Sequence, residues 1–382
     1  MAEYKIIFIG TIGSSAVNFR GSLLRRLVAK QCSVYVFLSS CAAEDRKQLE
    51  DWGVIVRLYK LSRSGLNPIS ELSTFLQLVR LIREVKPHAV FSFFVKPVIY
   101  GSLAAWYVGV PKRVAMLEGL GFAFTTQPTG VRLRTQLIKW FQVHLYRQSL
   151  PRCHHVIFLN FDDKYDLLDS YRIPVSNPII LGPIGVDLNF YSPTDLPLNE
   201  LRFLFVGRLL AEKGVHIFLD AAQKAKARRP EIKFDVVGSP DTTSPNALSE
   251  TQLHQHVKSK LITFGGQVSD IRPWIDRCSA FVLPSFREGF PRSTQEAMAM
   301  GRAVITTDVP GCRSSIEEGR NGFIVPPFDS DALAEKMIWF ADNPSALQAM
   351  GDESRKIAIE RFDIQKINCR VTELLLENEK DF

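Results

Sequence analysis

Residues 283–308 read LPSFREGFPRSTQEAMAMGRAVITTD, and two carboxylates in this stretch, Glu288 and Glu296, flank a Gly289-Phe290-Pro291 turn. The preceding FVLPS reads as a strand and its exit, and residues 286–290 as a loop at the carboxyl edge of a sheet. Pro291 suits a helix start, with Ser293 or Thr294 at or near the cap. Glu296 then falls in the first or second turn. The two carboxylates need not share a helix face, yet both can face one cleft. Carboxylates accept hydrogen bonds from the vicinal hydroxyls of a ribose or hexose. A helix N-terminus offers amides to phosphate. A ligand built as sugar, phosphate and sugar would use every one of these groups.

Residues 203–221, FLFVGRLLAEKGVHIFLDA, add cations. Gly207 follows a strand, and Arg208 and Lys213 straddle the turn into a helix. One gives a planar fork and the other a point charge, a pair suited to a diphosphate. Lysine is unfavourable near the positive end of a helix unless an anion offsets it. This is no Walker loop, because Gly214 follows Lys213 and no Ser or Thr is placed for magnesium. The first strand ends in IGTIGSSAVNFR, where Gly10 and Gly13 leave room for an anion and Ser14, Ser15 or Asn18 can cap the next helix. The spacing is not that of a dinucleotide fingerprint.

The elements that must position these groups alternate regularly. Strands are expected at 4–9, 33–38, 54–58, 89–94 and 155–159, with helical segments such as 20–30, 70–84 and 98–108 between them. Residues 173–200, rich in Pro and Asn, read as a linker in which IILG is itself a strand. The rhythm then restarts at 201–206, 233–237, 261–264, 280–283, 303–306 and 323–325. Apolar strands in a β-α-β-α order suit parallel sheets covered on both faces. The expected fold is α/β, with two doubly wound Rossmann-like domains, 1–185 and 186–382, whose last helix can pack back on the first. Ligands bind beyond the carboxyl ends of such strands, and two domains make an interdomain cleft the natural site.

The totals agree with two or three domains, since the chain has 382 residues and domains average about 150. A net charge of +7 favours anionic partners. Six cysteines and seven histidines show no metal-ligand spacing, which points to a reducing compartment and no structural metal. Residues 1–15 carry no signal-peptide pattern, and the apolar stretch 89–111 is interrupted by Lys96, Pro97, Gly101 and Gly109. A cytoplasmic protein is expected. No nucleic-acid module is recognisable, and the two glutamates would repel a phosphate backbone.

Residues 131–155, VRLRTQLIKWFQVHLYRQSLPRCHH, hold five Arg or Lys and no acid, mixed with apolar and aromatic residues. A basic amphipathic helix of this kind can lie on an anionic membrane. Arg132, Arg134, Lys139 and Trp140 are the residues expected there. Lys96, after SFFV, is a further cleft residue on the acceptor side.

Together these motifs resemble the retaining glycosyltransferases of family 4, which have the GT-B fold. The resemblance rests on the E-x7-E pair Glu288 and Glu296 in PSFREGFPRSTQEAMAMG, on VGRLLAEKG, and on IGVDLNFY with Asp187 and Phe190. It covers nearly the whole chain, although Ala303 stands where the family usually has proline. The resemblance implies that Arg208 and Lys213, beside Gly207, bind the donor diphosphate, that Glu296 holds the ribose, and that Glu288 contacts hydroxyls of the transferred sugar. It places the backbone of Gly289, Phe290, Pro291, Arg292 and Ser293 near sugar and phosphates, and has Gly13 admit donor and acceptor. Where many members carry His-Gly, this chain reads AMLEGLGFAF, so Glu118 becomes a candidate for a sugar hydroxyl or for developing positive charge. LSRSGLNP and LEGLGFAF are similar to segments of transferases that extend undecaprenyl-diphosphate sugars for O-antigen, capsule or protein glycans. That group implies a UDP-sugar donor, N-acetylgalactosamine or a related hexose, an α-linkage, no cofactor and no required metal. It also implies a peripheral position on the cytoplasmic face of the inner membrane. A transferase with a soluble acceptor, a GT-B epimerase acting on UDP-N-acetylglucosamine, and a non-catalytic sugar or phosphate binding module are the alternatives.

Overall fold

A computed structural model describes residues 4–62, 67–126, 133–197, 200–240 and 247–376. Two compact units divide the chain. The first comprises Met1–Phe124, Arg132–Gly182 and Gln365–Phe382, and the second Thr125–Val131 and Pro183–Ile364.

The first unit holds β1 (Lys5–Ile9), β2 (Ser33–Leu38), β3 (Ile55–Leu58), β4 (Ala89–Phe93), β5 (Lys112–Leu117), β6 (His155–Phe158) and β7 (Pro178–Ile180). They form one parallel sheet in the order β3-β2-β1-β4-β5-β6-β7. Its helices are α1 (Gly13–Ser15), α2 (Gly21–Ala29), α3 (Ala43–Asp51), α4 (Pro68–Val85), α5 (Val95–Val108), α6 (Leu133–Ser149) and α7 (Phe161–Lys164). Helix α5 contacts both α4 and α6. Strands such as AVFSF are buried at every position because helices cover both sheet faces.

The second unit holds β8 (Arg202–Val206), β9 (Lys233–Val237), β10 (Thr263–Gly266), β11 (Ala280–Leu283), β12 (Ala303–Thr307) and β13 (Gly322–Val325) in the parallel order β10-β9-β8-β11-β12-β13. Helices α8 (Val215–Arg228), α9 (Glu250–Lys258), α10 (Arg272–Asp276), α11 (Arg292–Ala299), α12 (Ser330–Asp342) and α13 (Pro344–Arg361) accompany it. The last helix, α14 (Ile364–Leu376), counts from Gln365 onward with the first unit. There Tyr4 donates to the Leu375 carbonyl at 3.0 Å, and Arg26 reaches Cys369 Sγ.

Strand order reverses between β1 and β4 in one sheet and between β8 and β11 in the other. Such switch points open a crevice at the carboxyl edge.

Three local expectations need correction. No strand is expected at 112–117, yet β5, KRVAML, pairs in parallel with β4 and β6, and the Arg113 side chain donates to the carbonyls of Val110 and Arg152. Helix α1 starts at Gly13 after Ile12 with no capping side chain, so Ser14, Ser15 and Asn18 do not cap; a π-helical turn, Ala16–Arg20, follows. Helix α11 has Pro291 at its N-cap and no side-chain cap. Ser293 instead donates to the Val206 carbonyl, and Thr294 is buried.

Candidate active site

Both halves of the second unit's sequence motif converge on the β8/β11 switch point. After β8, Gly207 and Arg208 leave the strand, and a 3-10 turn, Ala211–Lys213, ends at Gly214. After β11, residues 284–291 lead into α11. The two segments are tied directly: Phe286 N–H donates to the Glu212 carbonyl at 2.9 Å, and Ser293 reaches β8 at Val206. Gly214 has φ +75, and a Cβ there would lie 1.9 Å from the Pro284 carbonyl oxygen. Gly311, with φ +78, abuts the Glu288 carbonyl in the same way, at 2.2 Å. These two glycines let the loop close onto its supports.

Lys213 Nζ bonds both oxygens of Glu288, at 2.6 and 2.8 Å. Ser285 donates to Glu288 Oε1 at 2.8 Å. Lys213 and Glu288 keep 25% and 11% of their side-chain surface exposed, so the pair is ordered while still reachable by a ligand. The neighbouring Cys312 thiol is pushed up to about 12 by burial and then by the Glu288 charge. It is therefore neutral at physiological pH and no nucleophile. Arg208 is exposed at the strand exit.

Glu296, in the second turn of α11, accepts from the Tyr191 hydroxyl and from Arg292 Nε, each at 2.9 Å. Burial, then the Glu296 carboxylate, pushes the Tyr191 hydroxyl up, so it stays a donor. Tyr191 is placed by Asp187, whose side chain accepts from the Asn189 and Phe190 amides and turns the chain. Gln295, fully buried, accepts from Gly185 N–H at 3.0 Å and donates to the Phe290 and Pro291 carbonyls. That fixes the Gly289–Pro291 segment. The first-turn amides of α11 lack a side-chain cap, which suits them to an anion.

Gly207 differs from Gly214 and Gly311. A Cβ there would meet nothing closer than 3.6 Å. Internal packing does not require glycine at this strand exit.

In the first unit, Glu118 follows β5 and pairs with the buried Arg20 of the π-helical turn. Arg20 also approaches the Phe91 and Phe93 rings and donates to Met116 Sδ. Gly13 is required by packing: its Cβ would lie 2.7 Å from Cys41 Sγ and 2.9 Å from Asp45. That contact is one reason for a glycine here, beside any ligand that approaches the strand exit. Lys96 Nζ bonds Glu71 at 2.5 Å and the Ser62 carbonyl at 2.7 Å.

Within the basic segment Leu133–Ser149 form α6, and Arg134 and Trp140 are exposed on it. Lys139 instead turns inward, with its ammonium 4.4 Å from the Phe124 ring centre and 5.8 Å from that of Tyr171. Arg132 lies outside the described residues. Sequence reasoning did not single out Tyr191, Ser285, Gln295, Gly214 or Gly311. Tyr191 follows the Asp187 turn, and a closer reading of that turn would have found it. Among the described residues no helix is long and apolar enough to cross a membrane, and no cluster of three or more His, Cys, Asp or Glu could hold a metal.

Comparison with known proteins assigns each half. Residues 5–150 match the model "Glycosyl transferase 4-like", and residues 200–343 match "Glycosyl transferases group 1". A Campylobacter jejuni protein, N,N'-diacetylbacillosaminyl-diphospho-undecaprenol alpha-1,3-N-acetylgalactosaminyltransferase, is 27% identical over 87% of this chain and 88% of its own. An Escherichia coli protein, UDP-Gal:alpha-D-GlcNAc-diphosphoundecaprenol alpha-1,3-galactosyltransferase, is 25% identical over 82% and 81%. Among solved structures, Anabaena HepE in complex with UDP and glucose superposes with a TM-score of 0.78 at 19% identity, covering 98% of this chain and all of that one. With a group 1 match on the second unit, a 4-like match on the first and a parallel sheet in each, the chain is a glycosyltransferase of the GT-B fold.

Proposed function

We propose that this enzyme moves a hexose or N-acetylhexosamine, with N-acetylgalactosamine the first choice, from a UDP-sugar to an undecaprenyl-diphosphate-linked sugar, making an α-glycosidic bond with retention. The observation that carries the donor side is the pairing of Lys213 with Glu288 and of Glu296 with Tyr191 and Arg292 at one switch point. The acceptor class is supported by the names of the Campylobacter and Escherichia coli relatives.

In this reading Glu296 holds the ribose and Glu288 the hydroxyls of the transferred sugar. Arg208, Lys213 and the α11 amides receive the diphosphate. As the bond from the anomeric carbon to the phosphate oxygen breaks, positive charge grows on the sugar and negative charge on the leaving group. The fixed cations and amides stabilise the latter. The acceptor hydroxyl attacks from the face the phosphate leaves, and its proton passes to a leaving-phosphate oxygen. Glu118, held by Arg20, accepts a sugar hydroxyl. No metal takes part, so transfer is expected to survive chelation by EDTA.

The enzyme works at the cytoplasmic membrane face. Support comes from α6, where Leu133, Leu137, Trp140 and Phe141 are 79, 64, 62 and 47% exposed along one helical stripe. Helix α4 adds exposed Ile69, Leu72 and Leu76. Both stripes lie in the N-terminal halves of helices that follow strands, which places them toward the carboxyl edge of the sheet.

The deciding experiment offers UDP-, GDP-, ADP- and dTDP-sugars with a synthetic polyprenyl-diphospho-N-acetylhexosamine. Transfer from one UDP-sugar with an α-linked product is expected, with Arg208→Ala lowering kcat by about 10²-fold or more. Transfer to soluble sugars alone would replace the lipid-linked acceptor, and donor binding without turnover would leave a binding module.

A further inference from the structure

A cavity of about 290 Å³ opens at the β1/β4 switch point of the first unit, lined by Thr11, Ile12, Leu61, Phe94, Val95, Lys96 and Pro97. We propose that it is the subsite for an N-acetylated sugar of the acceptor, with Phe94 as its apolar wall and the Lys96–Glu71 pair as its polar end. The inference rests on the acceptor being a sugar and goes on to name its class.

The location is where a doubly wound sheet binds ligand. The floor is rigid: Tyr59 donates to the Gly10 carbonyl at 2.8 Å, and the Ser39 and Ser40 amides donate to the Thr11 carbonyl. The volume is near the lower end of ligand pockets, about 300 Å³, so it suits one ring and not a lipid chain.

Phe94 carries the strongest signal. It joins β4 to α5 with φ 70 and ψ 160, a backbone region that is essentially reserved for glycine. Its side chain is only half-buried, beside Phe93 at 5.1 Å between ring centres. Glycine would fit this backbone better, so the phenyl group is kept for what it touches outside the core. Residues held this way cluster at ligand clamps.

The chemistry of the walls selects the ligand. Lys96 is paired with Glu71, and Tyr100, one turn along α5, has its hydroxyl pushed up by burial and then by hydrogen bonding to the same carboxylate. Local charge is therefore balanced, which disfavours a phosphate. A plain hexose would leave hydroxyls unpaired against Ile12, Leu61, Phe94, Val95 and Pro97. An acetamido group brings a methyl to those walls and an amide to the polar end.

The test uses the full chain with UDP present, and saturation-transfer NMR on methyl 2-acetamido-2-deoxy-α-glucopyranoside and on methyl α-glucopyranoside. Saturation centred on the acetamido methyl is expected, with little for the plain glucoside. Phe94→Gly should weaken binding by about tenfold or more while its melting temperature holds or rises; Lys96→Met should weaken binding as well. Equal saturation of the two glycosides, none in the unaltered protein, or an unchanged signal in Phe94→Gly would each overturn the subsite. Transfer to the lipid-linked acceptor is measured separately. Acetamido saturation without such transfer would keep the subsite and remove the lipid-linked reading. Transfer with no acetamido saturation would do the reverse.

Discussion

Lys213 grips both carboxylate oxygens of Glu288, 75 residues further along the chain, at 2.6 and 2.8 Å. One cation thus serves two ends: it orders the carboxylate proposed to hold the sugar and stands beside the proposed diphosphate site. Lys213→Met should lower kcat by about 10²–10³-fold. It should also lower stability by about 1–3 kcal/mol, because Glu288 keeps its burial and loses its charged partner. The double variant with Glu288→Gln should be more stable than Lys213→Met alone, although inactive. Thermal melting of Lys213→Met, Glu288→Gln and the double variant checks this, and additive losses would show that the pair is uncoupled.

Glu296 is held twice, so its supports should be graded. Calorimetric titration with UDP should show Tyr191→Phe costing about 1 kcal/mol, because Arg292 still orients the carboxylate. Glu296→Ala should cost more. Undiminished UDP affinity in Glu296→Ala would remove the ribose role.

Gly207→Ala should leave the melting temperature almost unchanged, within about 0.5 kcal/mol of stability, since a Cβ there meets only ordinary contacts. UDP binding is nevertheless expected to weaken, because the proposed diphosphate site lies at this strand exit. Gly214→Ala and Gly311→Ala should behave oppositely and destabilise the fold outright through the Pro284 and Glu288 carbonyls. If Gly207→Ala binds UDP normally, the diphosphate does not approach that strand exit.

Flotation with phosphatidylglycerol vesicles should separate charge from insertion on α6. Arg134→Ala should weaken binding in low salt by about 1 kcal/mol. Leu137→Ser with Trp140→Ser should weaken it at every salt concentration. Lys139→Ala should leave vesicle binding intact, because its ammonium is engaged over Phe124. Equal flotation of all variants would remove α6 from the membrane.

Although β10, Thr263–Gly266, begins two residues after the expected 261–264, most strands were legible as short apolar runs, and the rhythm restarts clearly after the linker. Strand β5 was not, because its Lys112 and Arg113 hide the pattern and only the carbonyls of Val110 and Arg152 explain Arg113. Glu288, Glu296, Arg208 and Lys213 were legible from their types and from their places beside strand exits. Their partners were not: the bonds from Tyr191 to Glu296 and from Gly185 to Gln295 span 105 and 110 residues, and no periodicity records them. Gly13 shows the converse limit. A glycine after a first strand looks the same in sequence whether or not a side chain such as Cys41 packs against it, and the contact appears only in the fold.

The return of α14 to the first unit has a consequence for biogenesis. Val371 and Leu375 are buried, and Tyr4 and Arg26 find partners at Leu375 and Cys369. Domains tend to fold in the order in which they leave the ribosome. Here the unit begun first also waits for residues from Gln365 onward, which are translated after the long segment of the second unit, Pro183–Ile364, so the second unit can finish sooner. A stop codon shortly before Ile364 would therefore damage the beginning of the protein as much as its end.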